Sequence, residues 1–282
     1  MKKNDKTGLP RFARNSASRL SKTFTRLKEK GEKALIAFIT AGDPDLATTE
    51  ALVYELEKNG SDIIELGIPF SDPMADGPTI QASYERALKK AVHLKDVLSL
   101  VKKIRKKSQI PIVLFGYYNP ILSYGLKKFA SDVKASGADG TLVVDLPPEE
   151  AGDLKKEFDR ASLDLIFLLT PTSNDDRMRL VASRASGFVY FVSVTGVTGA
   201  RAALSKDLSG HVKKARQFTS IPIAVGFGIS TPEQAKSVAA ISDGVVVGSA
   251  IINRLAKAKN KKSVIKDAGR FVKALKEAMR PI

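Results

Sequence analysis

The chain lacks several residue types on which common kinds of site depend. Its 282 residues include no cysteine, no tryptophan and only two histidines. Without cysteine, a disulfide framework and thiolate chemistry are both excluded. Neither His93 nor His211 follows a strand-like segment, which disfavours a histidine–carboxylate metal centre and a Ser-His-Asp triad. The chemistry of this chain is therefore expected to rest on carboxylates.

Long hydrophobic runs are missing as well. No apolar run approaches the ~20 residues needed to cross a bilayer, so no membrane association is expected. The first residues, MKKNDKTGLPRFARNSASRLSK, lack the hydrophobic segment of a secretory signal. These absences, together with the lack of disulfides, favour a cytoplasmic location. The basic, serine-containing start leaves a plastid location as the alternative.

The positive charge of the chain is concentrated at its two ends. The net charge is +16, and residues 1–33 contain 11 Lys or Arg against 3 Asp or Glu. Residues 254–282 contain 10 against 2, and the remainder holds 25 of each sign. Solvated basic surfaces explain such ends, and no nucleic-acid-binding motif accompanies them, so no nucleic-acid partner is expected. We predict that residues 1–17 form a basic, disordered extension and that residues 18–282 form a single domain.

Eight short apolar segments recur along the chain, and most of them are rich in β-branched or aromatic residues. They cover residues 34–40, 62–67, 110–116, 140–145, 164–170, 188–193, 221–227 and 244–250. Their continuous apolar character is typical of parallel strands that are covered on both faces. Segments with helical spacing lie between them, as in 48–60, 94–107 and 264–279. This alternation predicts an α/β fold, a (β/α)8 TIM barrel, with an extra N-terminal helix over residues 18–31.

A doubly wound α/β sheet is the alternative fold. Such a sheet normally has a glycine-rich fingerprint after its first strand. The first strand here ends in ITAGDPD, residues 39–45, which lacks that fingerprint. The barrel is therefore the preferred prediction.

The most unusual stretch is IIELGIPFSDPMADGPTIQ, residues 63–81. It places Glu65 inside an apolar strand and adds Asp72 and Asp76 in the following loop. Because burying an unpaired charge is costly, a lone buried Glu indicates a catalytic acid at the edge of a pocket. The alternatives are a structural ion pair for Glu65 and simple turn formation for the two aspartates.

Three glycine-bearing turns occur late in the chain. They are TGVTG (195–199), GFG (226–228) and VGS (247–249), the last two at the ends of the seventh and eighth predicted strands. Glycine lets backbone N–H groups approach an anion, and barrels often bind phosphate at this place, although tight turns alone would need glycine too. The segment from Val194 to Gly210 is predicted to be a long loop, either a mobile lid or a floppy connection.

The segments ELGIPFSDPMADGPTIQ, GYYNP, VTGVTGA, GFGIS and GSAI, in this order and spacing, resemble the tryptophan synthase alpha chain family. The resemblance runs from about Ala34 to the C-terminal helix. It implies a (β/α)8 barrel that cleaves indole-3-glycerol phosphate into indole and glyceraldehyde 3-phosphate without metal or organic cofactor. It also implies a partner, the beta chain of tryptophan synthase, in a complex of two alpha and two beta chains.

The resemblance also assigns roles to individual residues. Glu65 would be the general acid/base, Asp76 the partner of the indole N–H, and Tyr117 a close neighbour of both. The residues that would line the indole pocket are Phe38, Leu142, Tyr190 and Phe227. Those that would hold the phosphate are Gly199, Gly228, Gly248 and Ser249, and Thr198 would meet Asp76 when the lid closes. Those that would meet the beta chain are Asp72, Pro73, Asn119 and Pro147.

Three other functions remain open at this point. The chain could be a phosphoribosyl-type barrel isomerase, whose acid and base would lie at other strand ends. It could be a stand-alone indole-3-glycerol-phosphate lyase without a beta chain. It could also be a catalytically silent regulatory subunit, although the presence of both Glu65 and Asp76 argues against that function.

Overall fold

The computed structural model describes residues 18–193, 201–226, 228–257 and 260–280, except for the side chains of residues 201–206 and 261–262. Its eight strands are β1 (Ala34–Thr40), β2 (Ile63–Gly67), β3 (Ile112–Gly116), β4 (Gly140–Val143), β5 (Asp164–Leu169), β6 (Val189–Val192), β7 (Ile223–Gly226) and β8 (Gly244–Val247). Each strand pairs in parallel with the next, and β1 also pairs with β8. The sheet is therefore a closed barrel, which confirms the predicted fold and excludes a doubly wound sheet.

Helices cover the outside of the barrel. They are α1 (Arg19–Glu29), α2 (Leu46–Lys58), α3 (Pro78–Leu88), α4 (Leu94–Ile104), α5 (Tyr118–Tyr124), α6 (Leu126–Ser136), α7 (Gly152–Ala161), α8 (Asp175–Arg184), α9 (Arg201–Arg216), α10 (Pro232–Ala239), α11 (Ser249–Lys257) and α12 (Lys261–Ala278). Helix α1 is the predicted extra N-terminal helix. The Ser18 hydroxyl accepts a hydrogen bond from the Ser21 N–H at its start, and Leu20, Phe24 and Leu27 are buried.

The strand register decides which residues share a level inside the barrel. Phe38 of β1 is paired with Glu65 of β2, and Thr40 is paired with Gly67. Every residue of β1 and β2 is buried, because one face of each strand fills the barrel interior and the other packs under the helices. Since all eight strands are parallel, the segments that follow them meet at one rim of the barrel.

One predicted segment has a different structure. The predicted loop from Val194 to Gly210 is wrong from Arg201 onward, where α9 begins. The sequence of α9, RAALSKDLSGHVKKAR, is rich in Ala, Leu, Lys and Arg, and these strong helix formers offset the ~1 kcal/mol cost of an internal glycine. Residues 194–200, which contain the TGVTG turn, and the predicted extension at 1–17 lie outside the described residues. Within the described ranges, no helix is both long and apolar enough to cross a membrane.

Candidate active site

A cavity of about 350 Å³ opens at the rim where the strands end. It brings together residues from all eight strands or the segments that follow them. Of the site residues predicted from the sequence, those that line it are Phe38, Glu65, Asp76, Tyr190, Gly228, Gly248 and Ser249. The two predicted catalytic carboxyl groups and part of the predicted phosphate site therefore face one enclosed space.

Glu65 lies in the middle of β2, and its side chain is only 1% exposed. Neither carboxyl oxygen has a hydrogen-bond partner among the described residues, which removes the alternative of a structural ion pair within that part of the chain. Burial raises the pKa of Glu65 to about 8. At neutral pH the group is therefore mostly protonated, and it can donate a proton to a molecule in the cavity.

Asp76 is held in the loop between β2 and α3. The Tyr117 hydroxyl donates to Asp76 Oδ2 at 2.7 Å and accepts from the Ala75 N–H at 3.1 Å. Burial raises the pKa of Asp76 to about 6, and the Tyr117 hydrogen bond opposes that rise. Although the Asp76 N–H closes a turn onto the Pro73 carbonyl at 3.0 Å, its side chain points to the cavity. Asp76 is therefore more than a turn former.

The two carboxyl groups have different pKa values. Near pH 7 the pKa values favour a protonated Glu65 and an ionised Asp76. Such a pair can supply one acid and one negative charge to the same bound molecule. In the described part of the chain, no three His, Asp or Glu side chains form a group that could hold a metal ion.

The apolar wall of the cavity includes Phe38 and Phe115, whose rings meet edge to face with centroids 5.0 Å apart. Leu142 of β4 pairs in register with Phe115 and is completely buried. It is not among the residues that line the cavity, whereas Val144, two residues further along the chain, is. The pocket-lining role of Leu142 stays a prediction.

Two glycine turns, at Gly228 and Gly248, also line the cavity. Gly228 has φ +72°, a backbone conformation that favours glycine, and a Cβ at Gly248 would lie 3.3 Å from Phe38 Cβ. Gly248, Ser249 and Ala250 line the cavity where α11 begins, so its free N–H groups suit an anion. Thr198, Gly199 and Phe227 lie outside the described residues, and their roles stay predictions.

Several lining residues were missed by the sequence analysis. They are Ala75, Gly77, Ile80, Phe115, Val144, Leu168, Val192, Ile229, Ser230, Val246, Ala250 and Asn253. Strand alternation could have found some of them, since Val192 lies two residues after Tyr190 and Val246 two before Gly248. Asn253 lies one helical turn after Ser249, and only a placed α11 brings it to the cavity.

The four predicted partner-interface residues lie at the same rim, in the segments that follow β2, β3 and β4. Asp72 and Asn119 are exposed, and Pro73 and Pro147 are half-buried. This region also contains Met74, 87% exposed, and Leu122, 53% exposed, which are the exposed large hydrophobic residues of the described chain. Two apolar side chains in water beside the cavity indicate a surface that another protein could cover.

The family model described as "Tryptophan synthase alpha chain" matches residues 24–280. The chain belongs to the tryptophan synthase alpha chain family. It is 56% identical to the tryptophan synthase alpha chain of Geobacter sp. (strain M21) over 262 residues, 93% of this chain and 98% of that one. It is 51% identical to that of Thermoanaerobacter sp. (strain X514), over 93% of this chain and 100% of that one. As a family member it is a carbon–carbon lyase of tryptophan biosynthesis.

Solved structures of tryptophan synthase alpha chains have the same fold. The tryptophan synthase subunit alpha of Legionella pneumophila str. Paris matches with a TM-score of 0.87 and 40% identity, over 93% of this chain and 98% of that chain. A ligand-free tryptophan synthase of M. tuberculosis matches with a TM-score of 0.84 and 32% identity, over 94% of this chain and 100% of that chain. Both matches cover nearly the whole of this chain and have its barrel fold.

Proposed function

We propose that the chain cleaves indole-3-glycerol phosphate by a retro-aldol reaction, with Glu65 as the acid/base and Asp76 as the partner of the ring nitrogen. The observation that carries this proposal is the cavity that Glu65 and Asp76 share with the glycine rim at Gly228 and Gly248. Two carboxyl groups of different pKa face the apolar space, and an anion site lies beside them. A substrate with an indole ring at one end and a phosphate at the other matches this arrangement.

The first chemical step is protonation of the indole ring. Glu65 donates its proton to ring carbon C3, which gives an indolenine cation and leaves Glu65 as a carboxylate. Because burial raises the pKa of Glu65 to about 8, the proton is present at neutral pH. A carboxyl group of ordinary pKa would be ionised at that pH and could not serve as the acid.

The second step breaks the carbon–carbon bond. Glu65, now a carboxylate, takes the proton of the glycerol hydroxyl on the carbon attached to C3. The C–O bond becomes the carbonyl of glyceraldehyde 3-phosphate, the C–C bond to the ring breaks, and its electron pair neutralises the indolenine as indole. Glu65 recovers its proton in this step, so one carboxyl group completes the cycle.

Asp76 stabilises the positive charge that develops on the ring. With a pKa of about 6 it is ionised at neutral pH, and its carboxylate can accept a hydrogen bond from the ring N–H. Tyr117 keeps one carboxylate oxygen in place through its 2.7 Å hydrogen bond. A fixed negative charge in a mostly apolar cavity acts more strongly than the same charge in water.

The remaining predicted residues bind the two ends of the substrate. Gly228, Gly248 and Ser249, with Gly199, offer backbone N–H groups to the phosphate, whose binding energy positions the reacting end. Phe38 and Tyr190 contact the indole ring, together with Leu142 and Phe227. Closure of the segment that contains Thr198 over Asp76 completes this arrangement.

The rim beside the cavity is the proposed site of the beta chain, in a complex of two alpha and two beta chains. Membership of the tryptophan synthase alpha chain family supports such a partner, and so do the exposed side chains of Met74 and Leu122. Both lie close in sequence to predicted interface residues, Met74 to Pro73 and Leu122 to Asn119. The short distance along the chain from Met74 to Asp76 would bring the partner next to the catalytic loop.

An indole-release assay on the wild type, Glu65→Gln and Asp76→Asn tests the catalytic roles. We expect Glu65→Gln to lose about 10²–10⁴-fold in kcat, the usual contribution of a positioned acid/base group. The wild-type kcat/KM should rise as Asp76 ionises near pH 6 and fall as Glu65 loses its proton near pH 8. Asp76→Asn should be strongly impaired across this whole range.

Asp164→Asn is the matched control, because Asp164 is a buried carboxyl group at the start of β5, at the opposite end of the barrel. Its indole release should stay within about twofold of the wild type, as expected for a site remote from the chemistry. A Glu65→Gln enzyme with wild-type turnover and an unchanged pH profile would rule out the proposed mechanism.

A further inference from the structure

Two side chains from neighbouring elements hold the catalytic loop, defined here as residues 73–76. Tyr117, at the end of β3, contacts the Asp76 carboxylate and the Ala75 N–H. Gln81, in the first turn of α3, donates through Nε2 to the Asp76 carbonyl at 2.7 Å and to the Pro73 carbonyl at 3.4 Å. The side chain of Asp76 and its backbone are therefore fixed by different residues.

The contacts of Gln81 join the two ends of the catalytic loop. The Pro73 carbonyl also accepts from the Asp76 N–H at 3.0 Å, so Gln81 reinforces the turn that this bond closes. A carboxamide nitrogen carries two N–H donors and no charge, which suits two carbonyl acceptors beside a carboxylate. The backbone N–H of Gln81 donates to the Gly77 carbonyl at 3.1 Å, so the backbone of Gln81 is held in the first turn of α3.

These contacts differ from those of a helix cap. The free groups at a helix N-terminus are N–H donors, and they need acceptors. Gln81 instead offers donors, and both of its acceptors belong to the catalytic loop. The N-cap residue of α3, Gly77, has no side-chain cap at all. The stability of α3 therefore gains little from the Gln81 amide, whereas the position of the loop depends on it.

We propose that Gln81 is a positioning residue for the lyase reaction, which fixes the backbone of Asp76 so that its carboxylate meets the ring nitrogen of the substrate. This role rests on the proposed function of Asp76. Displacing a reacting group by about 1 Å can cost on the order of 10²-fold in rate. The loss of Gln81 should thus lower turnover, while the phosphate end of the substrate still binds at the glycine rim, which Gln81 does not line.

The test compares Gln81→Met and Gln81→Glu, which keep the approximate side-chain shape but remove its paired N–H donors. We expect kcat for indole release to fall about 10- to 100-fold in Gln81→Met while KM changes less than about threefold. In Gln81→Glu the new carboxylate should disfavour ionisation of Asp76, so the acidic limb of the kcat/KM profile should move to higher pH. The other titratable groups near Asp76 are Glu65 in the shared cavity and the phenols of Tyr84, Tyr117 and Tyr190.

Asn59→Leu is the matched control. The Asn59 amide also donates twice, to the Glu55 carbonyl at 2.8 Å and to the Glu55 carboxylate at 3.0 Å, at the C-terminal end of α2. Its loss should lower the melting temperature and leave kcat within about twofold. A purely structural role of Gln81 would give this same pattern, with no movement of the pH profile.

The outcomes separate this inference from the proposed function. If Gln81→Met keeps kcat within twofold, or if the acidic limb of Gln81→Glu stays in place, the positioning role is wrong. If Asp76→Asn is inactive in the same series, only the inference about Gln81 then fails. If Asp76→Asn retains wild-type activity, both the proposed role of Asp76 and that of Gln81 are overturned.

Discussion

Glu65 is a residue whose requirements for catalysis and for folding conflict. Its carboxyl group is completely buried, and neither oxygen has a hydrogen-bond partner among the described residues. Burying such a group costs the fold less when it is neutral than when it is charged. Because the folded-state pKa is about 8, against an ordinary value of 4.5, the folded protein binds a proton that the unfolded chain has lost over this interval.

The stability of the fold therefore depends on the protonation of Glu65. The contribution of protonated Glu65 to the free energy of unfolding is fully present below about pH 4.5 and declines as the pH rises toward 8. The total change has an upper bound of roughly 4–5 kcal/mol. Glu65→Gln removes the titration, so we expect it to raise the free energy of unfolding at pH 8 by about 2–4 kcal/mol and to change it little at pH 5.

Urea unfolding of wild type and Glu65→Gln at both pH values measures this difference. Glu50→Gln is a suitable comparison, because Glu50 is ion-paired with Lys103 at 2.7 Å and its pKa is lowered rather than raised. That variant should lose stability, not gain it, at pH 8. An equal effect of Glu65→Gln at pH 5 and pH 8 would contradict the assigned protonation state.

The sequence predicted site residues best where function conflicts with ordinary folding rules. Glu65 in an apolar strand and Asp76 in a proline- and glycine-rich loop were both found from the sequence, and both line the cavity. Val144 and Asn253 were missed, because a valine after a strand and an asparagine in a helix obey those rules. Their positions at the cavity come from the closure of the barrel, which no local pattern encodes.

At the level of elements, the strands are joined in four pairs at the N-terminal end of the barrel, opposite the cavity. In β1, β3, β5 and β7, the N–H of the first or second residue donates to a side chain that precedes the following strand. The pairs are Leu35 with Asp62 at 2.9 Å, Ile112 with Asp139 at 2.8 Å, Leu165 with Ser186 at 3.0 Å and Ile223 with Asp243 at 2.9 Å. The three aspartate contacts share one register, since the residue after each donor pairs with the residue after each aspartate.

Asp164, the first residue of β5, is buried near these four contacts but takes part in none of them. Neither of its carboxyl oxygens has a hydrogen-bond partner in the described chain. Burial raises its pKa to about 6, and the nearby hydroxyls of Ser18 and Ser186 offset that rise only in part. We expect Asp164→Asn to raise the free energy of unfolding at pH 7 by about 1–2 kcal/mol and to lose this advantage toward pH 4.

Asp139→Asn provides the contrast in the same measurement by urea unfolding. Asp139 accepts from Ile112 and forms ion pairs with Arg19 at 2.6 Å and Arg105 at 2.8 Å. Its neutralisation leaves buried donors poorly matched and should cost about 2–4 kcal/mol. Similar losses in both variants would show that Asp164 has a partner that stabilises its charge.

Helix starts are encoded locally where a capping residue is present. The start of α10 has a capping box, in which the Thr231 hydroxyl accepts from the Gln234 N–H and the Gln234 side chain accepts from the Thr231 N–H. The start of α9 at Arg201 was missed, because the glycines of residues 194–200 and Gly210 suggested a continuous loop. Propensity summed over Arg201–Arg216 favours the helix, and a single internal glycine does not overcome it.

In the molecule as a whole, one end of the barrel stabilises the fold and the other carries the candidate active site. The end with Asp62, Asp139 and Asp243 consists of hydrogen bonds and ion pairs that satisfy backbone groups. The other end exposes loops and presents apolar side chains to water, and it contains Glu65, which has no hydrogen-bond partner among the described residues. Since parallel strands send every following segment to one rim, catalysis and partner binding can be varied there without disturbing the stabilising end.

This division makes the proposed beta-chain surface testable with a single change of charge. Met74→Lys places an ammonium group where an 87% exposed apolar side chain would be buried by a partner. We expect the affinity for purified beta chain, measured by isothermal titration calorimetry, to fall at least about 10-fold, as for an apolar contact at the core of an interface. The free energy of unfolding of the isolated chain should change by less than about 0.5 kcal/mol.

Gln109→Lys adds the same charge at an exposed position before β3, at the far end of the barrel, and should bind the beta chain with wild-type affinity. Leu122→Lys examines the second exposed apolar residue of the rim, and unchanged affinity in both rim variants would place the beta chain on another surface.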